Sequence, residues 1–230
     1  MKKKYWISLF FICLVVDLIG IYLNNELLQY ITKPLLVIIL IGYFLSQTMS
    51  RQINLKKWIL AALFFSWLGD VLLMFQPKVE IFFLLGLSAF FIAHTFYIVF
   101  FHSIRIKENV KSLWLLLLIV VIYYAVLITV LSPHLGKMKL PVRIYGIVIS
   151  LMFMLAMHMM FIKNKTAGRW MMTGALLFVM SDSILAINKF YQAFEMAGII
   201  IILTYGLAQL FITEGATRYI CQRNETKFAE

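Results

Sequence analysis

The chain has 230 residues, of which 63% are hydrophobic and only 13% are charged, and its formal net charge is +11. Soluble domains are about half apolar and about a quarter charged, so this composition excludes a soluble globular protein. It predicts an all-α integral membrane protein, because a helix needs about 20 apolar residues to cross the hydrocarbon core of a bilayer.

Eight apolar segments follow one another along the chain. The first, behind the basic start MKKKYW, imitates a secretory signal peptide, but Asp17 to Gly20 continue the apolar run and no small-residue cleavage site follows. We therefore expect it to stay as the first of eight transmembrane helices. We predict a transmembrane domain over residues 1–214 and a polar cytoplasmic tail over 215–230. The predicted spans cover about 5–23, 31–48, 57–75, 81–101, 113–131, 141–162, 168–188 and 194–213.

The basic residues are distributed unevenly between the two sides of such a bundle. If the N-terminus is cytoplasmic, the outer side holds six of the 21 Lys and Arg residues, and the inner side holds the other fifteen. This asymmetry predicts that both termini lie in the cytoplasm. We expect the bundle itself to lie in the cell membrane. The basic excess then faces anionic lipid headgroups, so we expect membrane lipids as partners and no nucleic acid. The six outer residues are Lys33, Lys78, Lys137, Lys139, Arg143 and Lys189.

The second half of the chain resembles the first. A shift of 112 residues places Asp182 on Asp70 and Gly198 on Gly86, and aligns spans seven and eight with spans three and four. Each half would hold four spans and run in the same direction, which predicts a parallel repeat. Both carboxylates would lie about 20 Å from the cytoplasmic end of their helices. We expect them to face each other inside the bundle.

Asp70 and Asp182 are the strongest candidates for catalysis. An ionisable residue within a span is costly and usually faces the bundle interior or a water-filled cavity. The alternative is a structural acid paired with a neighbouring helix. Asp70 has apolar sequence neighbours in WLGDVLL, whereas Asp182 lies between two serines in MSDSI, whose hydroxyl groups we expect to donate hydrogen bonds to its carboxylate. We therefore predict that Asp70 is the protonated general acid and that Asp182 is the ionised partner that positions water.

Other polar side chains occur at helical spacing. His94 and Tyr97 share one face of helix four, and Tyr205 and Gln209 share one face of helix eight. These side chains either contact the substrate or bridge helices through hydrogen bonds. Asn188 near the end of helix seven either belongs to the same site or caps the helix.

Lys33 and Arg143 lie where helices two and six begin on the outer side. Either both are cations that snorkel to the bilayer surface, or they bind the phosphate of a lipid substrate. An Arg guanidinium offers a bidentate contact to phosphate, and a Lys ammonium supplies a point charge.

Motifs for nucleophilic or metal-dependent chemistry are absent from the sequence. It contains no Ser-x-x-Lys, Gly-x-Ser-x-Gly, His-Glu-x-x-His or Cys-x-x-Cys pattern, and Cys13 and Cys221 lack metal-ligand spacing. His158 in LMFMLAMHMMF invites interpretation as a haem ligand, but a methionine-rich stretch is more typical of packing. We predict no metal and no cofactor.

Several stretches, in this order and at these spacings, resemble the YhhN family of eight-span membrane proteins, which includes the lysoplasmalogenases: TKPL at 32–35, LGDVLLM at 68–74, GLSAFFIAHTFY at 86–97, GALLFVMSDSILAINKF at 174–190 and TYGLAQL at 204–210. The resemblance implies hydrolysis of the vinyl ether of a lysophospholipid, a lysoplasmalogen. The products would be a fatty aldehyde and glycerophosphoethanolamine or glycerophosphocholine. By position it implies roles for Asp70, His94, Tyr97, Ser181, Asp182, Asn188, Tyr205 and Gln209.

Two other classes of function stay open at this point. One is a transporter or channel whose carboxylates bind cations or relay protons, which the repeat favours. The other is a lipid-binding membrane protein without turnover, since a fold does not determine a function. The sequence carries no signal for an oligomeric state.

Overall fold

A computed structural model describes residues 3–49, 54–77 and 79–227. Within these residues the protein is an all-helical bundle without strands, and eight of its helices are long and apolar enough to cross a membrane. The predicted fold class is therefore confirmed. The basic residues at positions 2, 51 and 78, which contribute to the predicted topology, and the last three residues of the predicted tail lie outside the described residues.

The eight helices correspond one to one to the predicted apolar segments, with ends that differ by up to six residues except at the end of α8, which extends well beyond the prediction. Asparagine side chains start two of them: Asn25 accepts a hydrogen bond from the Leu28 N–H, and Asn164 accepts one from the Ala167 N–H. The helices are α1 (Lys3–Tyr22), α2 (Glu26–Thr48), α3 (Lys56–Met74), α4 (Ile81–Lys107), α5 (Trp114–Leu131), α6 (Lys139–His158), α7 (Lys165–Ala186) and α8 (Ala197–Lys227).

Helix α8 is the centre of the bundle and packs against α7, α2, α1 and α3. Small residues allow its close approach to α7. A Cβ atom at Gly174 would lie 2.7 Å from the Ile212 backbone nitrogen, and one at Gly215 would lie 2.8 Å from the Ala167 carbonyl oxygen. Close backbone contact at small residues is the usual packing of membrane helices. Helix α5 is peripheral, with Val120 and Leu131 as its buried residues.

The chain does not leave the bundle at residue 215, where the polar tail was predicted to begin. Helix α8 continues to Lys227, and Ala216 and Ile220 are fully buried. Glu214 explains why this polar segment stays packed. Its carboxylate accepts a hydrogen bond from Tyr43 of α2 and forms ion pairs with Lys3 of α1 and with Arg218 of α8 itself. Tyr43 and Lys3 therefore hold this part of α8 against two other helices.

The parallel repeat of two four-helix halves stays a prediction. Helices α3 and α4 form a closely packed pair, as do α7 and α8. The two matched glycines have different neighbours, because Gly86 lies against Leu73 of α3 whereas Gly198 faces Ile21 of α1.

Candidate active site

A cavity of about 280 Å³ lies at the end of the bundle where α1 connects to α2, α3 to α4 and α7 to α8. Asp70 and Asp182 both line it, so the structure brings the two predicted acids into one site. Most of the wall is apolar, with Leu73, Leu87 and Phe90 among its residues. An apolar cavity with a few converging polar groups is typical of a ligand site. The polar lining residues are Gln29, Lys33, Asp70, Gln76, Tyr145, Ser181, Asp182, Asn188 and Tyr205.

Three of the predicted polar residues form a hydrogen-bond chain that ends on Asp70. The Tyr205 hydroxyl donates to Asp70 Oδ2 at 2.6 Å. The Gln209 Nε2 donates to the Tyr205 hydroxyl oxygen at 3.2 Å, and the Tyr97 hydroxyl donates to Gln209 Oε1 at 2.7 Å. Tyr97 and Gln209 are buried behind the cavity wall. They therefore hold Tyr205 in place and do not line the cavity themselves.

A second chain ends on Asp182. The Tyr145 hydroxyl donates to the Asp182 carboxylate, and His94 Nε2 lies 3.0 Å from the Tyr145 hydroxyl oxygen. Since the tyrosine proton points to the carboxylate, we assign the Nε2–H of His94 as the donor to the tyrosine oxygen. The same Nε2 lies 3.6 Å from Asp182 Oδ2. His94 is fully buried and packs edge-on against Phe178, with ring centroids 4.6 Å apart.

The two acids thus have matching supports. Each carboxylate accepts a hydrogen bond from a tyrosine of another helix, and that tyrosine accepts one from a buried N–H group. This second donor is Gln209 of the same helix for Tyr205, and His94 of a third helix for Tyr145. Phe178 contacts both His94 and Tyr205 and separates the two chains. A carboxylate with such fixed partners has few available orientations, which is how catalytic groups are preorganised.

The predicted hydrogen bonds from the serines beside Asp182 are wrong. The Ser181 hydroxyl donates to the Ile201 carbonyl oxygen at 3.0 Å. The Ser183 hydroxyl bonds to the Val179 carbonyl oxygen and, at 2.6 Å, to the Tyr123 hydroxyl. Successive helical residues point about 100° apart, so the neighbours of an acid in sequence are turned away from its carboxylate.

Of the two predicted phosphate ligands, Lys33 lines the cavity and Arg143 does not. Arg143 is exposed and its Nη2 donates to the Ser132 hydroxyl at 3.0 Å. Tyr145, two residues further along α6, faces the cavity, and two residues correspond to about 200° of rotation around a helix. Arg143 is therefore directed away from the site. Asn188 lines the cavity and also accepts a hydrogen bond from the Phe194 N–H at 3.1 Å.

Tyr145 is the main residue that the sequence did not indicate. It lies in the apolar stretch PVRIYGIVIS without a polar neighbour at helical spacing towards the site, so its contact with Asp182 depends on the packing of α6 against α4 and α7. Its only sequence signal is a hydroxyl group within a span, which needs a partner when it is buried.

Two other candidate ligands have structural partners. His158 accepts a hydrogen bond from the Leu113 N–H through Nε2, and its Nδ1 lies 2.8 Å from the Met154 carbonyl oxygen. Asp17 is fully buried and accepts a hydrogen bond from Thr32, and it is not one of the described residues that line the cavity. Among the residues described, no group of three His, Cys, Asp or Glu side chains could hold a metal ion.

Comparison with known proteins finds relatives that align with most of the chain. The chain is 31% identical over 189 residues to the human protein named lysoplasmalogenase TMEM86B, covering 82% of this chain and 75% of that protein. It is 32% identical over 162 residues to the rat protein of that name (70% of this chain, 62% of the relative) and 27% identical over 195 residues to a Mycobacterium bovis lysoplasmalogenase (84% and 71%). No solved structure matches it significantly.

The YhhN family model matches residues 28–216, a range that contains both acids and both hydrogen-bond chains. The match covers most of the chain and includes all five stretches on which the resemblance was based. The chain belongs to the YhhN family.

Proposed function

We propose that this integral membrane protein is a hydrolase that cleaves the vinyl ether bond of lysoplasmalogens. The products are a fatty aldehyde and glycerophosphoethanolamine or glycerophosphocholine. The observation that carries the proposal is the pair of carboxylates in one apolar-walled cavity. Relatives that are named lysoplasmalogenases and that align with most of the chain support it. They do not favour a transporter, a channel or a lipid-binding protein without turnover.

Two carboxyl groups are sufficient for this reaction. A carboxylic acid donates its proton to the outer carbon of the alkene, and the ether oxygen stabilises the resulting oxocarbenium ion. Water adds to the cationic carbon and gives up a proton to the second carboxylate. The hemiacetal then collapses to an aldehyde. Its hydroxyl group gives a proton to the first carboxylate, its C–O bond breaks, and the second carboxyl group protonates the departing glycerol oxygen, so that both groups return to their initial states. Glycosidases divide the work between two carboxyl groups around a similar cation.

We assign the proton donor to Asp70 and the ionised partner to Asp182. The difference in their bonded partners supports this assignment. The Asp182 carboxylate accepts a hydrogen bond from Tyr145 and also faces His94 Nε2 at 3.6 Å, and donor groups around a carboxylate favour its ionised form. The chain that ends on Asp70 consists of the uncharged groups of Tyr205, Gln209 and Tyr97.

Purified protein in detergent should release aldehyde from a 1-alkenyl lysophosphoethanolamine without any ion gradient. The matched control substrate is the 1-alkyl ether, which lacks the alkene and therefore cannot form the oxocarbenium ion by protonation. In D₂O the aldehyde should carry one deuterium on the carbon next to the carbonyl group, as measured by mass spectrometry. Release of no aldehyde by a folded, monodisperse sample would refute the proposed function.

We also propose that both termini face the cytoplasm across the cell membrane, which the predicted distribution of basic residues supports. A reporter that is active only in the cytoplasm should be active when fused after Glu230. The same reporter fused after His134, in the connection between α5 and α6, should be inactive. The opposite pair of results would contradict this proposal and show that the termini lie on the outer side.

A further inference from the structure

The chain leaves α7 through a π-helical turn, Ile187–Tyr191, at the edge of the cavity. π-turns are rare and occur frequently at functional sites, because the wider turn changes the direction of the side chains that follow it. Here Asn188 and Phe190 line the cavity. Lys189 is exposed between them, and its Nζ lies 4.6 Å from the centroid of the Phe83 ring.

Phe83 connects Lys189 to the cavity. The ring is 4% exposed and forms part of the cavity wall, so the ammonium group resting on it lies at the border between the cavity and the surface. Lys189 forms no ion pair within the part of the chain that the structure describes. Its charge is therefore available to an anion at this border.

The charges in the cavity explain why a second cation is needed there. A lysophospholipid brings a phosphodiester anion into a space that already contains two carboxyl groups, and Lys33 is the only cation among the described lining residues. With Asp182 ionised, its carboxylate and the phosphate of the lipid face a single lysine in the cavity lining. A phosphodiester has two anionic oxygens, so a second lysine at the border pairs with the oxygen that Lys33 leaves free, and this matters because an unpaired charge is costly in a partly dry site.

From this geometry we infer that Lys189 and Lys33 together bind the phosphate of the substrate, and that Lys189 takes the place predicted for Arg143. Lys33 lies on α2 and Lys189 lies on the turn after α7, so the phosphate would be held between two elements. This inference rests on the proposed function, because it specifies which lysolipids the same site accepts. The site should select phosphate-bearing alkenyl lipids over neutral ones.

Two substrates that differ in the phosphoethanolamine headgroup test this inference. They are 1-alkenyl lysophosphoethanolamine and 1-alkenylglycerol, which carry the same vinyl ether. Lys189→Gln should raise the KM for the phospholipid by about tenfold, the scale of one charge-assisted hydrogen bond, with kcat nearly unchanged. The KM for alkenylglycerol should not change. The matched control is Lys137→Gln, which removes another exposed charge, from the connection between α5 and α6, and should change neither KM.

An unchanged ratio of the two KM values in Lys189→Gln would overturn the inference and leave Lys189 as a cation that snorkels to the bilayer surface. A raised phospholipid KM in Arg143→Gln alone would overturn it in favour of Arg143. Equilibrium binding of the uncleavable 1-alkyl lysophosphoethanolamine provides a readout that does not depend on turnover. Lys189→Gln should weaken this binding about tenfold. If the wild-type protein binds this lipid but cleaves neither alkenyl substrate, the proposed function fails and the phosphate site stands.

Discussion

Asp70→Asn and Asp182→Asn should each lower kcat for vinyl ether hydrolysis by about 10²-fold or more, the usual scale for loss of a general acid or base. Asparagine has nearly the same shape as aspartic acid and can still accept the tyrosine hydrogen bond, so the substitution removes the proton chemistry and leaves the packing. The measurement is the steady-state rate of aldehyde release, with KM determined in parallel. We expect KM to change little, because neither acid is proposed to hold the phosphate.

Asp17→Asn is the matched control for this pair. Asp17 is as deeply buried as any acid in the bundle and its carboxylate also accepts a hydroxyl hydrogen bond, from Thr32, but it does not line the cavity. The kcat of the Asp17→Asn variant should stay close to that of the wild-type protein. Near-normal activity of both the Asp70 and Asp182 variants would mean that these carboxylates are structural. A similar loss in all three variants would mean that the effect comes from a disturbed bundle.

The sequence was sufficient to predict the eight helices and the position of the two acids in one part of the bundle, for a physical reason. The thickness of a bilayer fixes the length of an apolar helix, and position along the helix fixes depth. The helices that carry Asp70 and Asp182 begin on the same side of the bundle, and the two acids lie at similar depth, so both can reach one cavity. Helix rotation is not fixed in this way, since lipid-facing and protein-facing residues are both apolar.

Where the structure differs from the predictions, the difference comes from how the helices rotate, turn and pack against one another. Arg143 and Tyr145 are two residues apart on α6, and only Tyr145 faces the cavity. Lys189 has the same charge as the predicted phosphate ligands but lies on a π-turn, which helical periodicity does not indicate. The predicted tail, over 215–230, is polar in composition, yet Glu214 binds partners from α1 and α2 that are far away in sequence. Each of these contacts is made between helices.

His94 shows how depth alone can mislead. Counted along its helix, it lies nearer the predicted cytoplasmic face than the two acids do. The long side chain of Tyr145 bridges this distance, because its hydroxyl lies between His94 and Asp182. His94 therefore contacts the second hydrogen-bond chain through Tyr145 and is not one of the described residues that line the cavity.

The roles of the two acids can be separated because each has its own tyrosine. A hydroxyl that donates to a carboxylate stabilises the ionised form, so its removal makes the carboxyl group hold its proton up to a higher pH. If Asp182 is the ionised partner, its protonation produces the acidic limb of the pH–rate profile. If Asp70 is the general acid, its ionisation produces the alkaline limb. Asp70→Asn should then abolish the alkaline limb in whatever activity remains.

Tyr145→Phe should therefore move the acidic limb to higher pH by about one unit, the scale expected for a hydrogen bond to a charged group, and leave the alkaline limb in place. Tyr205→Phe should move the alkaline limb to higher pH and leave the acidic limb in place. Both variants keep the aromatic ring and remove one oxygen atom, so each serves as the control for the other. If Tyr145→Phe moves the alkaline limb and Tyr205→Phe the acidic one, Asp182 is the general acid and the assignment is reversed. If either variant moves both limbs together, the two carboxyl groups titrate as one coupled pair, and neither acid can be assigned a separate role.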